Sequence, residues 1–155
     1  MDRVPVTRQG FEALRKELQN LKKFERPQNI KAIEEARAHG DLSENAEDAA
    51  AKDRQGFIEG RINELEFKLA NIDIIETDKL PKDRAVFGSK VVLENIETGE
   101  DVSYQLVGPD ESDIENGRIS VSSPLGKAIL GRKPGDELFL EVPGGRRSYE
   151  LVEIL

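Results

Sequence analysis

The chain has 155 residues, of which 35% are charged and 37% hydrophobic, and its formal net charge is −8. Both halves, 1–76 and 77–155, are net acidic, which argues against a module that binds duplex nucleic acid through a broad basic face. The chain has no cysteine for disulfides or thiolate chemistry, no apolar run near the ~20 residues that span a bilayer and no apolar signal core at its start, so we expect a cytoplasmic protein.

The first predicted element is a helix that begins after Thr7, whose hydroxyl can accept a hydrogen bond from a free amide of the first turn. Large apolar residues then recur at spacings of 3, 4 and 3, as in a coiled-coil seam: Phe11, Leu14, Leu18 and Leu21. Pro27 lacks an amide proton and should bend or interrupt the helix near residues 23–24. The apolar pattern resumes at Ile30 and Ile33 and then thins to alanines.

A second helix is expected to begin between Asp41 and Ser43, because Gly40 fits the position just past a helix end. Its apolar residues are alanines near the start and large residues farther on. The large residues, at spacings of 4, 3, 4 and 3, are Ile58, Ile62, Leu65, Leu69 and Ile72. Antiparallel pairing matches large with large and small with small, so residues 1–76 are predicted to form an antiparallel two-helix coiled coil with an acidic tip at 40–48.

The remaining chain is predicted to be a linker over 77–84 and a small antiparallel β domain with one short helix over 85–155. The strands are expected near 86–93, 102–106, 118–122, 138–140 and 149–152, where residues of high β-propensity lie between turn residues. Ser123 and Pro124 form a cap and first-turn pair that opens the short helix through Leu130. The whole chain is therefore predicted to have an α+β fold.

The tip contains four carboxylates in the eight residues from 41 to 48. Asp41 and Glu44 are three residues apart, which places both on one face of a helix N-terminus. One interpretation, and the commoner one for this spacing, is a capping box. The other is a weak Mg²⁺ site, in which two carboxylates share an ion with phosphates, water or a partner protein.

The residues beside this acid pair allow two interpretations. Glu47 and Asp48 are predicted to lie on a solvated acidic face. Arg37 and Lys52 flank the tip on the two arms, where they either steer a phosphate chain toward the carboxylates or pair with acidic neighbours. The residue pattern leaves both alternatives open.

The run 38–47, AHGDLSENAE, together with 55–62, QGFIEGRI, resembles the Gre family of bacterial transcript cleavage factors. The similarity continues through 86–89, 119–125 and 143–145, and so covers essentially the whole chain in order. The resemblance implies an N-terminal antiparallel coiled coil and a C-terminal domain of FKBP-like fold. It further implies docking on RNA polymerase at the mouth of the secondary channel, with the coiled coil extending toward the polymerase active site. A monomer is expected, because a rod that enters a pore does so as a single chain.

The resemblance also assigns roles at the tip. Asp41 and Glu44 match the two acids that help hold a second Mg²⁺ and orient the attacking water, while the polymerase holds the first metal. A backtracked transcript is then cut internally, and its new 3′ end resumes elongation. Arg37 and Lys52 match positions that contact RNA. The chain is expected to lend these groups to the polymerase and not to be an enzyme itself.

In the C-terminal domain, the resemblance places polymerase docking at Ser122, Ser123 and Pro124. Two positions depart from the family pattern. Asp48 stands where the family often has tyrosine, and Ser122 is neutral where the relatives that cleave longer fragments have an acid.

Two alternative functions are consistent with the same fold. A regulator that binds the polymerase channel without cleavage would have the same shape, and the extra acid at Asp48 makes it conceivable. A prolyl isomerase is suggested only by the implied C-terminal fold. That domain has just four aromatic residues, too few for a well-lined proline pocket: Phe87, Tyr104, Phe139 and Tyr149.

Overall fold

The structure is a computed structural model that describes residues 3–38 and 46–155. These residues divide into two compact units. Unit 1 contains Phe11–Ile72, and unit 2 contains Arg3–Gly10 together with Asp73–Leu155. The sequence alone assigns residues 3–10 to the hairpin, whereas the structure groups them with unit 2.

Unit 1 is a helical hairpin, as predicted. Its first arm consists of α1 (Arg8–Asn20), a π-helical turn (Leu21–Glu25) and α2 (Arg26–Ala38), and its second arm is α3 (Ala46–Ala70). The arms are antiparallel, because residues later in the first arm contact residues earlier in the second. The contacts that establish this order are Glu17 with Arg61, Asn29 with Ala51, and Arg37 with Asp48. The predicted start of the second helix, at 41–43, lies outside the described residues.

Most of the seam between the arms is apolar and fully buried. Its buried apolar residues are Leu14, Leu21, Ile33 and Ala36 on the first arm and Ala51, Ile58, Ile62 and Leu65 on the second. Burying one large aliphatic side chain stabilises the folded state by about 1.5–3 kcal/mol. The seam is therefore the main source of stability in this unit. One predicted seam residue, Ile72, instead begins a strand, because α3 ends at Ala70.

The π-helical turn interrupts the first arm next to Pro27, as the sequence predicts. At this turn the Arg26 amide donates to the Leu21 carbonyl, five residues earlier. A proline has no amide for the carbonyl four residues before it, and its ring clashes with that carbonyl, which the wider turn accommodates. The turn adds one residue to the buried repeat, so the next buried position after Leu21 is Asn29, eight residues later instead of the seven of a regular heptad. Ile30, predicted on the seam, is consequently 45% exposed.

Charged pairs border the seam. Arg61 donates hydrogen bonds of 2.7 and 2.9 Å to the two carboxylate oxygens of Glu17, and Arg26 does the same to Glu59. The Arg61 guanidinium lowers the pKa of Glu17 below its ordinary value of 4.5. The Arg26 guanidinium lowers the pKa of Glu59 for the same reason.

These lowered pKa values predict acid sensitivity of the hairpin. Such a carboxylate stabilises the folded state fully above pH 4.5 and loses that contribution as the pH falls through its folded pKa. We expect Glu17→Gln to reduce the dependence of the free energy of unfolding on pH below 4.5, modestly because the pair is partly exposed. Urea unfolding followed by circular dichroism measures this dependence. Glu34→Gln, which removes an exposed carboxylate from the same arm, is the matched control. An identical pH dependence in Glu17→Gln and wild type would contradict the prediction.

Unit 2 contains two sheets and one short helix. Strands β1 (Val4–Thr7) and β2 (Ile72–Ile75) form a two-stranded sheet. A five-stranded sheet has the order β5-β4-β3-β7-β6. Its strands are β3 (Lys90–Asn95), β4 (Asp101–Val107), β5 (Arg118–Ser120), β6 (Glu137–Val142) and β7 (Gly145–Ile154), and the helix is α4 (Pro124–Ile129).

The sheet is mixed, which corrects the prediction of an antiparallel domain. β3 pairs antiparallel with β4 and β7, and β6 pairs antiparallel with β7. β5, however, runs parallel to β4. Parallel neighbours need a connection that crosses back along the strand. Two 3₁₀ turns, Pro109–Glu111 and Ile114–Asn116, lie on that connection. The α+β class is confirmed.

The core of unit 2 lies against the five-stranded sheet. Its most buried residues are Ala85, Val91, Leu93, Leu106, Ile119, Ile129, Leu138, Tyr149, Leu151 and Ile154. The predicted cap of α4 is confirmed, because the Gly126 amide donates to the Ser123 hydroxyl over 3.1 Å. The predicted cap of the first helix is confirmed as well, with the Gly10 amide 3.0 Å from the Thr7 hydroxyl.

One buried carboxylate, that of Glu111, links several parts of unit 2. Its side chain accepts hydrogen bonds from the amide and the hydroxyl of Thr7, from the Gly108 amide and from the Arg118 guanidinium. A Cβ at Gly10 would lie 2.1 Å from a Glu111 carboxylate oxygen, so a side chain at position 10 would displace the Glu111 carboxylate from its present place. Glu111 therefore anchors β1 and the start of α1 to the connection between β4 and β5. None of the helices that the structure describes is both long and apolar enough to cross a membrane.

Candidate functional site

The two predicted tip acids, Asp41 and Glu44, lie outside the described residues, between the end of α2 and the start of α3. Within residues 3–38 and 46–155, no group of three or more metal-ligating side chains is present. The donor set of the tip is of the right chemical kind for Mg²⁺, since carboxylates are hard oxygen ligands, and two are too few to hold the ion alone. The capping and metal interpretations of this pair both stay predictions.

Directly beside this segment, the structure brings together Arg37, Asp48 and Lys52. The Arg37 Nε lies 3.7 Å from Oδ1 of Asp48, and the Lys52 Nζ lies 3.0 Å from Oδ2. Arg37 belongs to α2 and the other two residues to α3, so the cluster joins the arms. Both predicted RNA-contacting cations are exposed, and the structure places them at one carboxylate.

Asp48 is not on a solvated face, which corrects the sequence prediction. The residue is 2% exposed, whereas Glu47 is exposed as predicted. The spacing of the buried residues along α3 indicates that position 48 is buried. Counting back from Leu65 and Ile62 by alternating steps of 3 and 4 residues reaches Ala51 and then Asp48. The position is therefore a seam position, although its residue is charged.

A second buried polar residue, Asn29, was also missed. It is 3% exposed, and its Nδ2 donates a hydrogen bond of 3.0 Å to the Ala51 carbonyl across the seam. Its Oδ1 has no hydrogen-bond partner among the described residues. A buried asparagine in a coiled coil favours one register over others, at some cost in stability. Asn29 lies opposite the start of α3, so it aligns the arms close to the tip.

The predicted docking residues form a hydrogen-bonded loop between β5 and α4. The Ser122 hydroxyl lies 2.6 Å from the Ser120 hydroxyl, and the Ser123 hydroxyl donates to the Ser120 carbonyl over 2.6 Å. Ser122 and Pro124 are exposed, and Ser123 is half-buried because it also caps α4. The loop is thus held rigidly while presenting two of its three predicted residues to solvent.

A cavity of about 450 Å³ adjoins this loop. Its lining includes Tyr104, Ile119, Ser123, Pro124, Leu125 and Leu140. Two of the predicted docking residues therefore lie at the edge of a largely apolar depression. Such a depression can bind an apolar side chain or a helix face of a partner.

The docking loop depends on the absence of a side chain at position 126. A Cβ at Gly126 would lie 2.0 Å from the Ser120 carbonyl oxygen and 3.0 Å from the Val121 Cα, both backbone atoms. We expect Gly126→Ala to displace the loop and to lower the free energy of unfolding by about 1–3 kcal/mol, as overpacking does. Urea unfolding measures the loss. The matched control is Gly144→Ala, because a Cβ there meets nothing within 4 Å. Equal stability of the two variants would contradict the prediction.

Comparison with known families gives two matches that together span the chain. The model "Transcription elongation factor, N-terminal" matches residues 4–74. The model "Transcription elongation factor, GreA/GreB, C-term" matches residues 80–155. The two matches cover both the helical hairpin and the β-rich region.

Full-length relatives agree with the family matches. The chain is 54% identical over 154 residues to transcription elongation factor GreA of Syntrophobacter fumaroxidans, covering 99% of both chains. It is 52% identical over 155 residues to GreA of Methylococcus capsulatus, covering 99% of this chain and 98% of that one. Among solved structures, the Gfh1 protein of Thermus thermophilus is 33% identical, with 99% of both chains covered and a TM-score of 0.44.

Proposed function

The chain belongs to the GreA/GreB family of transcription elongation factors, and from that membership we propose that it stimulates RNA cleavage by RNA polymerase in backtracked complexes. The observation that carries the proposal is the full-length relationship together with the acid pair Asp41 and Glu44, which lies in sequence between two antiparallel arms. A hairpin delivers a small set of side chains through a narrow opening. The protein acts inside the polymerase secondary channel, as a cofactor of another enzyme's active site.

In this proposal, Asp41 and Glu44 supply carboxylate oxygens at the cleavage site. One carboxylate accepts a hydrogen bond from the attacking water and orients it toward the transcript phosphorus. Both add negative ligands for a Mg²⁺ ion, which supplies charge stabilisation and a more acidic water when bound. The hairpin alone binds the ion weakly, because the remaining ligands come from the polymerase and the RNA.

The cations beside the tip contact the transcript. Arg37 and Lys52 have side chains that are 55% and 52% exposed, so their charged ends are accessible to a phosphate. Contacts of this kind position RNA without reading its sequence. They hold the backtracked 3′ segment while the acid pair acts on the scissile phosphate.

The docking loop and its cavity bind the polymerase. Ser122 and Pro124 are exposed, Ser123 holds the loop to α4, and the cavity beside them accepts apolar groups of the partner. The protein works in the compartment of its polymerase, the cytoplasm. In this proposal, unit 2 supplies the affinity for the polymerase, and the acid pair supplies the groups that take part in RNA cleavage.

Both alternative functions lose support. The channel regulator was conceivable because of the extra acid at Asp48, and that carboxylate is buried beside two cations. A prolyl isomerase needs an aromatic pocket, and of the four aromatic residues of this region only Tyr104 is among those lining the cavity beside the docking loop. Tyr149 is part of the core, and Phe139 is 52% exposed.

The direct test uses a polymerase stalled and backtracked on a template with labelled RNA. Addition of the wild-type protein with Mg²⁺ should release short 3′ fragments and allow the shortened transcript to resume elongation. Slowed nucleotide addition without fragment release would instead establish the non-cleaving regulator. No effect on either readout would reject action in the channel.

A further inference from the structure

We propose that Asp48 is a positioning residue that holds Arg37 and Lys52 together as one cationic clamp for the RNA backbone. The clamp consists of these three residues. The inference rests on the proposed function, because it concerns how the two cations meet the transcript. Beyond that function, the inference gives a role to the buried Asp48 carboxylate, which takes no direct part in RNA cleavage.

Within the clamp, the carboxylate is buried and the two cations are exposed. The side chain of Asp48 is 3% exposed, whereas those of Arg37 and Lys52 are 55% and 52% exposed. The carboxylate is therefore enclosed by the seam, while both cations extend from it toward solvent. A buried carboxylate is stable only with paired charges, so Asp48 retains both cations beside it.

The Asp48 carboxylate connects the two arms. The Arg37 Nε on α2 lies 3.7 Å from Oδ1, an ion-pair distance longer than a hydrogen bond, and the Lys52 Nζ on α3 lies 3.0 Å from Oδ2. Both cations lie beside the same carboxylate, and their like charges would repel if it were absent. With it, the three groups carry a net charge of +1 and continue to attract phosphate.

Holding the two cations in place before RNA binds lowers the conformational entropy that binding costs. Arginine and lysine side chains lose considerable rotamer freedom when a ligand immobilises them. A fixed carboxylate removes part of that freedom before RNA arrives, and such preorganisation strengthens binding. Each cation keeps other N–H donors for phosphate oxygens, because arginine has five and lysine three.

The opposite effect would be competition, in which Asp48 neutralises the cations and weakens their hold on RNA. For competition, phosphate would have to replace the Asp48 carboxylate as the partner of Arg37 and Lys52. That replacement requires either moving the buried carboxylate or pulling the two cations away from it. Asp48 lies in the seam below the cations, and phosphate arrives from the solvent side. The positioning role therefore predicts that loss of the carboxylate slows cleavage, whereas competition predicts faster cleavage.

The test is Asp48→Asn, which keeps the side-chain shape and removes its charge. Cleavage is measured on backtracked complexes over a range of protein concentrations. We expect a rate at saturating protein about fivefold lower than wild type, in the range of lost coupling between neighbouring groups. The concentration for half-maximal rate should be unchanged, because docking uses unit 2. The conservative variant Asp48→Glu should restore most of the rate.

The matched control is Glu59→Gln, which breaks the two hydrogen bonds with Arg26 elsewhere on the hairpin. It removes one carboxylate from a cross-arm ion pair and should cleave at the wild-type rate. Thermal unfolding of all variants is followed in parallel. A fivefold loss in this control as well would overturn the proposal, because it would show that any broken cross-arm pair has the same effect.

A double-mutant comparison separates positioning from a purely structural role. In an Arg37→Gln, Lys52→Gln background, Asp48→Asn should cause no further loss, because the cations that it positions are gone. The same fivefold loss in that background would overturn the proposal even if Asp48→Asn destabilises the hairpin. Wild-type or faster cleavage by Asp48→Asn would overturn it directly.

The clamp and the proposed function can be rejected separately. If wild-type protein stimulates cleavage and Asp41→Asn does not, while Asp48→Asn matches wild type, only the clamp is rejected. If wild-type protein releases no RNA, the proposed function and the clamp are both rejected.

Discussion

Asp41→Asn and Glu44→Gln are each expected to lower RNA cleavage by about 100-fold or more, with unchanged binding to the polymerase. Each substitution keeps the size of the side chain and removes one negative oxygen ligand. Loss of a group that stabilises charge only in the transition state costs about 10²–10³ in rate. Because the proposed docking site lies in unit 2, displacement of labelled wild-type protein from polymerase should be unaffected.

Both substitutions are compared with Glu47→Gln, which removes an exposed carboxylate three residues beyond Glu44. This control should retain wild-type cleavage if the acid pair is specific. Raising the Mg²⁺ concentration should partly restore the two acid variants, since their defect is weaker retention of the ion. Wild-type rates in both acid variants would leave the capping box as the function of the pair and reject the cleavage mechanism.

Glu111→Ala is expected to lower the free energy of unfolding of unit 2 by about 3–5 kcal/mol, the cost of breaking a buried ion pair. The substitution leaves the Arg118 guanidinium without its carboxylate partner 3.1 Å away. It also removes the acceptor for the amide and hydroxyl of Thr7. Urea unfolding of the full chain, followed by β-sheet circular dichroism, measures the loss.

The matched control is Glu115→Ala, which truncates an exposed carboxylate in the next 3₁₀ turn. Its effect should stay within about 0.5 kcal/mol, as for ordinary surface positions. The isosteric Glu111→Gln should lie between the two, because its amide oxygen still accepts hydrogen bonds. A loss below about 1 kcal/mol for Glu111→Ala would show that water or neighbouring groups replace the carboxylate.

The helical hairpin was predictable because its pattern is local and periodic. Leu14, Leu21, Ile58, Ile62 and Leu65 repeat at helical spacing and are all buried. The caps at Thr7 and Ser123 were predictable for the same reason, since each interaction spans three residues. The interruption near Pro27 followed from the chemistry of one residue.

The errors arose where a feature of the folded chain overrode a simple sequence rule. Asp48 looked solvated because it is charged, and the seam buries it because Arg37 and Lys52 compensate the charge. Ile30 looked like a seam residue until the π-helical turn shifted the repeat by one residue. β5 was predicted as part of an antiparallel sheet, but the connection over 108–117 returns the chain so that β5 runs parallel to β4.

The sequence by itself determined the two arms, the α+β class and the family. It also supplied the candidate acids, cations and docking residues of the proposed function, which stay predictions. Periodicity, capping and the order of motifs depend on residues that are close together, or follow one another, in the sequence. Only the tertiary structure decided that Asp48 lies beneath both cations and that Glu111 anchors β1 to the β4–β5 connection. The physical reason is that the free energy of a buried charge depends on which distant groups surround it, and those groups are brought near only when the chain folds.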